Sequence, residues 1–192
     1  MADAPAAIPR LATQRLLLRE WHDGDREPFA ATNGDPRVME HFPSTLTRPE
    51  SDALVDRIVA HWRDDGVGLW AVERTADRAF LGFTGLAAPV DEQGMPPCTE
   101  VGWRFAVDAW GYGYATEGAR AAVDWGFDVF GLDEIASWTS VSNVRSQAVM
   151  RRIGMTHDPA DDFDHPRLPE GHPLRRHVLY RLRRTGASSG GG

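Results

Sequence analysis

Two glycines one residue apart, Gly111 and Gly113, stand where an alternating apolar stretch gives way to a helical one. Before them, Val101, Trp103, Phe105 and Val107 share one face of an expected strand, with Glu100, Gly102 and Arg104 on the other. After them, Ala115, Ala119, Ala122, Val123, Gly126, Phe127 and Phe130 form one stripe of a helix that ends at Phe130. A strand that feeds a glycine turn and opens a helix leaves several main-chain N–H groups unpaired and aimed outward. That makes an anion cradle, here suited to the pyrophosphate of a cofactor. Glycine at 111 and 113 permits positive φ and close backbone approach. A dinucleotide turn needs a third glycine where Thr116 stands, and Asp133-Glu134 precedes the next apolar strand instead of ending it. No Gly-Lys-Ser/Thr follows, so a P-loop is excluded. On spacing alone, a purely structural turn remains the alternative.

Several elements must hold this turn in place. A strand is expected over Arg15–Trp21, then a short helix through Ala31 capped by Asp23 or Asp25. Asp35-Pro36 starts another short helical turn that reaches Phe42. A longer helix runs from Pro49 to Asp64 with Leu54, Ile58, His61 and Trp62 on one face, and Gly66 and Gly68 end it. Strands at Leu69–Arg74 and Phe80–Ala87 flank a hairpin turn at Thr75–Asp77. Residues 88–98 form the loop into the central strand. Beyond the glycine-turn helix come a strand at Glu134–Ser140 and a helix at Val144–Ile153 stopped by Gly154. A long loop or lid over Asp158–Leu174 follows, then a last strand at Arg176–Arg183. The order implies α/β architecture with a mixed, mainly antiparallel sheet. Residues 1–10 read as a flexible arm, 11–184 as one domain, and 185–192 as a disordered end or expression remnant.

The run Glu100-Val-Gly-Trp followed by Trp110-Gly-Tyr-Gly-Tyr-Ala-Thr-Glu117 resembles the acetyl-CoA loop of the GNAT N-acetyltransferases. It is most similar to the branch that acetylates N-termini of ribosomal proteins at alanine or serine, together with its small-molecule relatives. The resemblance continues through Asn143-Val-Arg-Ser146, Arg152-Ile-Gly154-Met155 and Thr13-Gln-Arg-Leu-Leu-Leu-Arg19, so it spans nearly the whole chain in family order. Trp110 departs from the wider pattern, which begins with Gln or Arg at that point. The resemblance implies a GNAT-type fold with helices on both faces, whose central strand and its neighbour splay apart to admit the pantetheine arm of acetyl-CoA. Phe105 and Val107 would then offer main chain to pantetheine. Gly111, Tyr112, Gly113, Tyr114, Ala115 and Thr116 would cradle the pyrophosphate. Asn143 and Ser146 would meet the pantetheine or acetyl end. The early helices would line the acceptor groove, which makes His41, Phe42 and Trp62 candidate substrate contacts, although a helix face turned to the core explains Trp62 equally well; Trp103 of the central strand and His165 of the lid are further candidates.

Transfer of acetyl from a thioester to an amine needs a neutral amine, a donor for the developing oxyanion, and a proton for the leaving thiolate. At pH 7 an α-amine near pKa 8 costs about 1 kcal/mol to deprotonate, and a lysine roughly 4 to 5. Glu100 is the candidate base, directly or through water; the alternative is an ion pair with an arginine such as Arg104. Glu117, in the first turn of the helix, is better explained by the helix dipole. Other branches carry a tyrosine seven residues after the asparagine, where Met150 stands, so the leaving-group role passes to Ser146. Asn143 and Ser146 are equally explained as helix caps. An N–H near Val107 is the expected oxyanion donor.

Composition bounds the rest. The 192 residues carry a formal charge of −7, which argues against a nucleic-acid surface and suits a cationic amine. Seven scattered histidines and one cysteine, Cys98, show no metal-ligand spacing, so no metal is expected. No apolar run approaches a membrane span, no signal peptide is visible, and a single cysteine fits a reducing cytoplasm. The expected function is acetyl-CoA-dependent N-acetylation by direct attack in a ternary complex, with no covalent acetyl-enzyme. The acceptor is a small cationic amine or a protein N-terminus, and a homodimer is left open. The alternative is a CoA-binding sensor that has lost turnover.

Overall fold

The computed structural model describes residues 7–89 and 94–184; the expectations for residues 1–6, for part of the 88–98 loop and for the tail at 185–192 lie outside them. The chain runs β1 (Leu11–Ala12), β2 (Leu16–Arg19), α1 (Arg26–Gly34), α2 (Arg48–Asp65), β3 (Leu69–Arg74) and β4 (Phe80–Ala87). It continues β5 (Glu100–Phe105), α3 (Tyr114–Asp128), β6 (Glu134–Ser140), α4 (Val144–Arg152), β7 (Thr156–His157), β8 (Phe163–Asp164) and β9 (Arg176–Arg183). The strands form one sheet in the order β1-β2-β3-β4-β5-β6-β9-β7, with β8 added to β9. Every pairing is antiparallel except β5 with β6. This is the expected mixed, mainly antiparallel α/β architecture.

Local chemistry sets the elements. Thr47 and Glu50 close a reciprocal capping box at the start of α2, and Gly66, with φ of 69°, ends it. Arg19 in β2 is buried, and its charge is met by Asp25 at 2.7 Å and Glu73 at 2.9 Å, which pins the start of α1 to the sheet. The face of β4 and β5 that carries Val101 and Phe105 packs against Ala119, Ala122 and Val123 of α3. The opposite face carries Phe83 and Arg104 toward α1, where Phe29 meets Phe83 edge-on at 5.8 Å.

Some expectations are corrected. Residues 36–44 form turns and bends without a helix. There the Asp35 carboxylate accepts from the Arg37 N–H, and the main-chain bonds from Val38, Met39 and Phe42 do not continue into a ladder. His61 faces solvent, whereas Val55, Ile58 and Trp62 carry the buried face of α2. The strand β5 stops at Phe105, so Val107 starts a 3-10 turn over Val107–Ala109. Its cause is local: Ala106 makes the last bond to Leu81, and the Trp110 indole donates to the Phe105 carbonyl at 2.9 Å. The helix α3 ends at Asp128, and Phe130 beyond it is partly exposed, stacked on Trp125. The 158–174 segment is a long ordered loop, with a 3-10 turn at Pro159–Asp161 and the two-residue β8 tying it to β9.

Candidate active site

Only one residue pair, Glu100 with Ala136, joins β5 to β6, through the Ala136 N–H donated to the Thr99 carbonyl at 2.9 Å. Past that bridge the two strands part. Because Thr99 turns its carbonyl toward β6, the alternation of a strand turns the main-chain groups of Val101, Trp103 and Phe105 to the same side. Ala106, on the other alternation, bonds to Leu81 before β4. The bridge itself takes the Val101 N–H and the Trp110 indole takes the Phe105 carbonyl, so the edge left open on the splay is the Val101 carbonyl, both main-chain groups of Trp103 and the Phe105 N–H. The edge ends at Phe105, not at Val107.

At the wide end of the splay lies the glycine turn. Gly111 and Gly113 both have φ of 83°, and Gly113 is the N-cap residue of α3. The first helical bond is made by the Glu117 N–H to the Gly113 carbonyl at 3.0 Å. The N–H groups of Gly111, Tyr112, Gly113, Tyr114, Ala115 and Thr116 therefore have no protein acceptor among the described residues. A Cβ added at Gly111 would meet nothing within 4 Å, and residues 111–113 are exposed. These observations fit a pyrophosphate held by main chain at a helix N-terminus.

The turn is braced from the first hairpin. Arg15 donates through Nη1 to the Tyr112 carbonyl at 2.9 Å and through Nε to Glu117 at 2.7 Å, and it lies over the Tyr114 ring at 4.8 Å. Thr13 donates its hydroxyl to the same carboxylate at 2.6 Å. Hydrogen bonds from Thr13 and Arg15 outweigh burial and lower the Glu117 pKa, so Glu117 is a structural anion. The spacing around the glycine turn does not point to Arg15; its role there needs a contact between residues about a hundred positions apart.

Across the splay, Asn143 caps α4 by accepting the Ser146 N–H at 3.1 Å, and its amide donates to Thr139 at 2.9 Å. The capping reading is therefore realised, and it also fixes where Ser146 points. The Ser146 hydroxyl oxygen accepts from the Trp103 indole at 3.3 Å. Arg145 lies 4.8 Å over the Trp110 ring. Both contacts tie α4 to the β5 side. Trp103 thus stands on the α3 and α4 face together with Ser146, away from His41 and Phe42.

Strand pairing assigns the other face. Glu100 and Arg104 share it with Ala136, Trp138 and Ser140 of β6 and with His177 and Leu179 of β9. His41 reaches Ser140 and Ser142, each at 3.4 Å from its Nδ1. Phe42 covers the Arg104 guanidinium at 4.2 Å. Phe163 lies 5.5 Å from His177, and His165 lies 5.1 Å from the same ring. So His41, Phe42 and His165 gather on the face of Glu100, while Tyr180 packs on the other under His157 and accepts no role there beyond its bond from Arg151 at 3.0 Å.

Glu100 has no hydrogen-bond or ionic partner among the described residues, and burial pushes its carboxyl up to about 8. The ion pair with Arg104 does not form, since Arg104 instead donates to Asn33 at 2.6 Å. Cys98 is half-buried, and burial raises its thiol pKa, which weakens it as a nucleophile. No group of three or more His, Cys, Asp or Glu placed to hold a metal is found among the described residues. No helix among them is long and apolar enough to cross a membrane.

Comparison with known proteins gives the site a context. Residues 15–156 match the family described as the acetyltransferase (GNAT) domain. The chain is 34% identical over 162 residues to an FsC-acetyl coenzyme A-N(2)-transacetylase of Aspergillus fumigatus, covering 79% of this chain and 66% of that protein. An acetyltransferase from Agrobacterium tumefaciens superposes with a TM-score of 0.76 at 27% identity, covering 96% of this chain and 99% of that one. The ribosomal-protein-S5-alanine acetyltransferase of Vibrio fischeri shares the fold at a TM-score of 0.73 and 14% identity, covering 93% and 98%.

Proposed function

The chain belongs to the GNAT acetyltransferase family, and from that premise we propose that it acetylates a primary amine by direct attack within a ternary complex, with Glu100 as base and Ser146 at the leaving sulfur. As a member of that family it is an acetyl-CoA-dependent acyltransferase. The observation that carries the finer reading is the two-sided splay. Unpaired main-chain N–H groups of 111–116 and the edge of β5 lie along one route, and an uncompensated carboxyl, Glu100, lies on the opposite face.

The roles follow from chemistry. The turn at 111–116 would hold the diphosphate, and Arg15 keeps that turn in shape through its bond to the Tyr112 carbonyl. The main-chain groups of Trp103, with the Val101 carbonyl and the Phe105 N–H, would take the pantetheine amides, and an N–H on this edge would meet the thioester oxygen. Acetyl-CoA supplies an activated acyl group and a thiol leaving group. An ordinary carboxylate near 4.3 takes a proton from an α-ammonium near 8 at a cost of about 5 kcal/mol, whereas a carboxyl near 8 takes it at almost none. Glu100 is matched to that task. Its proton uptake leaves a neutral amine to attack the carbonyl carbon. The tetrahedral intermediate collapses with cleavage of the C–S bond, the thiolate departs toward Ser146, and the second amine proton, lost from nitrogen, ends on the sulfur as the free thiol. Since the Ser146 oxygen already accepts from Trp103, its own hydrogen is available to the sulfur. The acceptor groove is the face of His41, Phe42 and His165, and either a small amine or a protein N-terminus fits this chemistry.

Thiol release from acetyl-CoA over a panel of amines tests the proposal. Turnover is expected with initial-velocity lines that intersect, as for a ternary complex. Parallel lines would sink direct attack. Tight CoA binding with no turnover on any amine would instead leave a CoA sensor.

A further inference from the structure

Arginines among the described residues are mostly met by carboxylates, and the contrast with Arg104 is sharp. Arg19 is buried and has two carboxylates. Arg181 is ion-paired with Glu134 at 2.6 Å and Asp161 at 2.7 Å. Arg104 has no carboxylate within ion-pair distance among the described residues. Of its five N–H donors one is used, from Nη1 to the neutral Asn33 side-chain oxygen at 2.6 Å. Its Nε is buried with no partner.

The cation is also built in place. Asn33 is fully buried and donates to Ser51 at 2.8 Å, so α1 and α2 together hold the group that holds Arg104. The guanidinium lies 4.2 Å from the Phe42 ring centre and 5.5 Å from that of Phe83. The N–H donors of a guanidinium lie in its plane, so its hydrogen bonds are made at its edge. Burying an unpaired cation is costly, and burial pushes this guanidinium down to about 10. A fixed guanidinium with donors to spare matches the planar fork of a carboxylate. It stands four residues along β5 from Glu100, on the same face.

We propose that Arg104 is the acceptor-specificity residue, and that the acceptor is an amine whose own molecule carries a carboxylate bound at the Arg104 edge. This rests on the acetyltransferase reading and adds to it. The amine end is served by Glu100 and the acid end by Arg104, so the acceptor is zwitterionic. The overall charge of −7 acts at long range, whereas Arg104 offers an unpaired cation at short range. The carboxylate has two sources: the α-carboxylate of a free amino acid, or an acidic side chain next to a peptide N-terminus.

The test measures kcat/KM for thiol release from acetyl-CoA with matched acceptor pairs. One arm pairs α-amino acids with their α-carboxamides; the other pairs tripeptides carrying Glu or Gln at the second position. Wild type should prefer the carboxylate member in one arm by at least about tenfold. That ratio should fall to near one in Arg104→Gln and to an intermediate value in Arg104→Lys, which keeps the charge and guards against loss of the fold in the first variant. The preferring arm identifies the source. No preference in either arm, or a ratio that survives in both variants, overturns the proposal. If no acceptor is turned over, the transferase reading fails. Arg104 is then judged by calorimetric titration of the CoA-saturated protein with the same carboxylates: binding lost in Arg104→Gln supports the anion site, and no binding, or equal binding, refutes it.

Discussion

The indole N–H of Trp103 donates to the Ser146 hydroxyl oxygen at 3.3 Å, across the gap that opens between β5 and β6. One residue sits on the strand that edges the splay and the other in the first turn of the helix beyond it. The bond uses a lone pair and leaves the serine hydrogen for a third partner. A weak acid such as a hydroxyl cannot fully protonate a thiolate, but it can stabilise one as it forms.

Ser146→Ala should therefore lower kcat by about tenfold to a hundredfold with a smaller change in the KM for acetyl-CoA. Trp103→Phe keeps the ring but frees the serine rotor, and a loss of a few-fold is expected. Steady-state kinetics on both variants check this. A Ser146→Ala enzyme with unchanged kcat for several amines would remove the hydroxyl from the mechanism.

Glu100 carries a pH signature. With its carboxyl near 8, kcat/KM should rise with pH up to about that value, and Glu100→Gln should flatten the rise and slow high-pKa amines most. The fold feels the same group. A carboxyl whose folded pKa lies above its unfolded value contributes stability that is full below about 4.3 and lost as pH climbs through about 8. Glu100→Gln should thus melt close to wild type at pH 5 and a few degrees above it at pH 9. Thermal melts at the two pH values decide the point.

Arg15 acts on the phosphate turn through the Tyr112 carbonyl and Glu117. Arg15→Met should raise the KM for acetyl-CoA by about tenfold and leave kcat at saturation nearer to wild type. Gly113→Glu should abolish CoA binding, since the position has φ of 83° and a carboxylate there would repel the diphosphate and draw Arg15 away. Calorimetry with CoA reads both. Normal affinity in Gly113→Glu would move the cofactor elsewhere.

Arg19 tests the scaffold apart from the chemistry. Its removal leaves buried Asp25 without a cation and Glu73 with only the exposed Arg78 at 3.4 Å, so Arg19→Met should cost about 3 to 5 kcal/mol. Urea unfolding measures it. Residual activity per folded molecule should persist, because the triad lies away from Glu100 and Ser146.

What the sequence determined by itself is whatever depends on neighbours along the chain. The period-two pattern of residues 100–105, the two glycines at 111 and 113, the exact limits of β3 and β4 and the asparagine cap of α4 are all local, and they were legible from residue type and spacing. The family, too, could be read from motifs in order. Pattern reading failed where a nearby side chain competed for a group that the pattern assigned elsewhere. Val107 left the strand because the Trp110 indole took the Phe105 carbonyl, and Asp35 spent its carboxylate on Arg37 instead of starting a helix. Only the tertiary structure decided which residues share a face. It put Trp103 with Ser146, gathered His41 and Phe42 on the side of Glu100, brought Arg15 to the glycine turn and left Arg104 without a counter-charge. Those facts depend on strand register and on desolvation, which are sums over residues far apart in the chain. No window of sequence contains them.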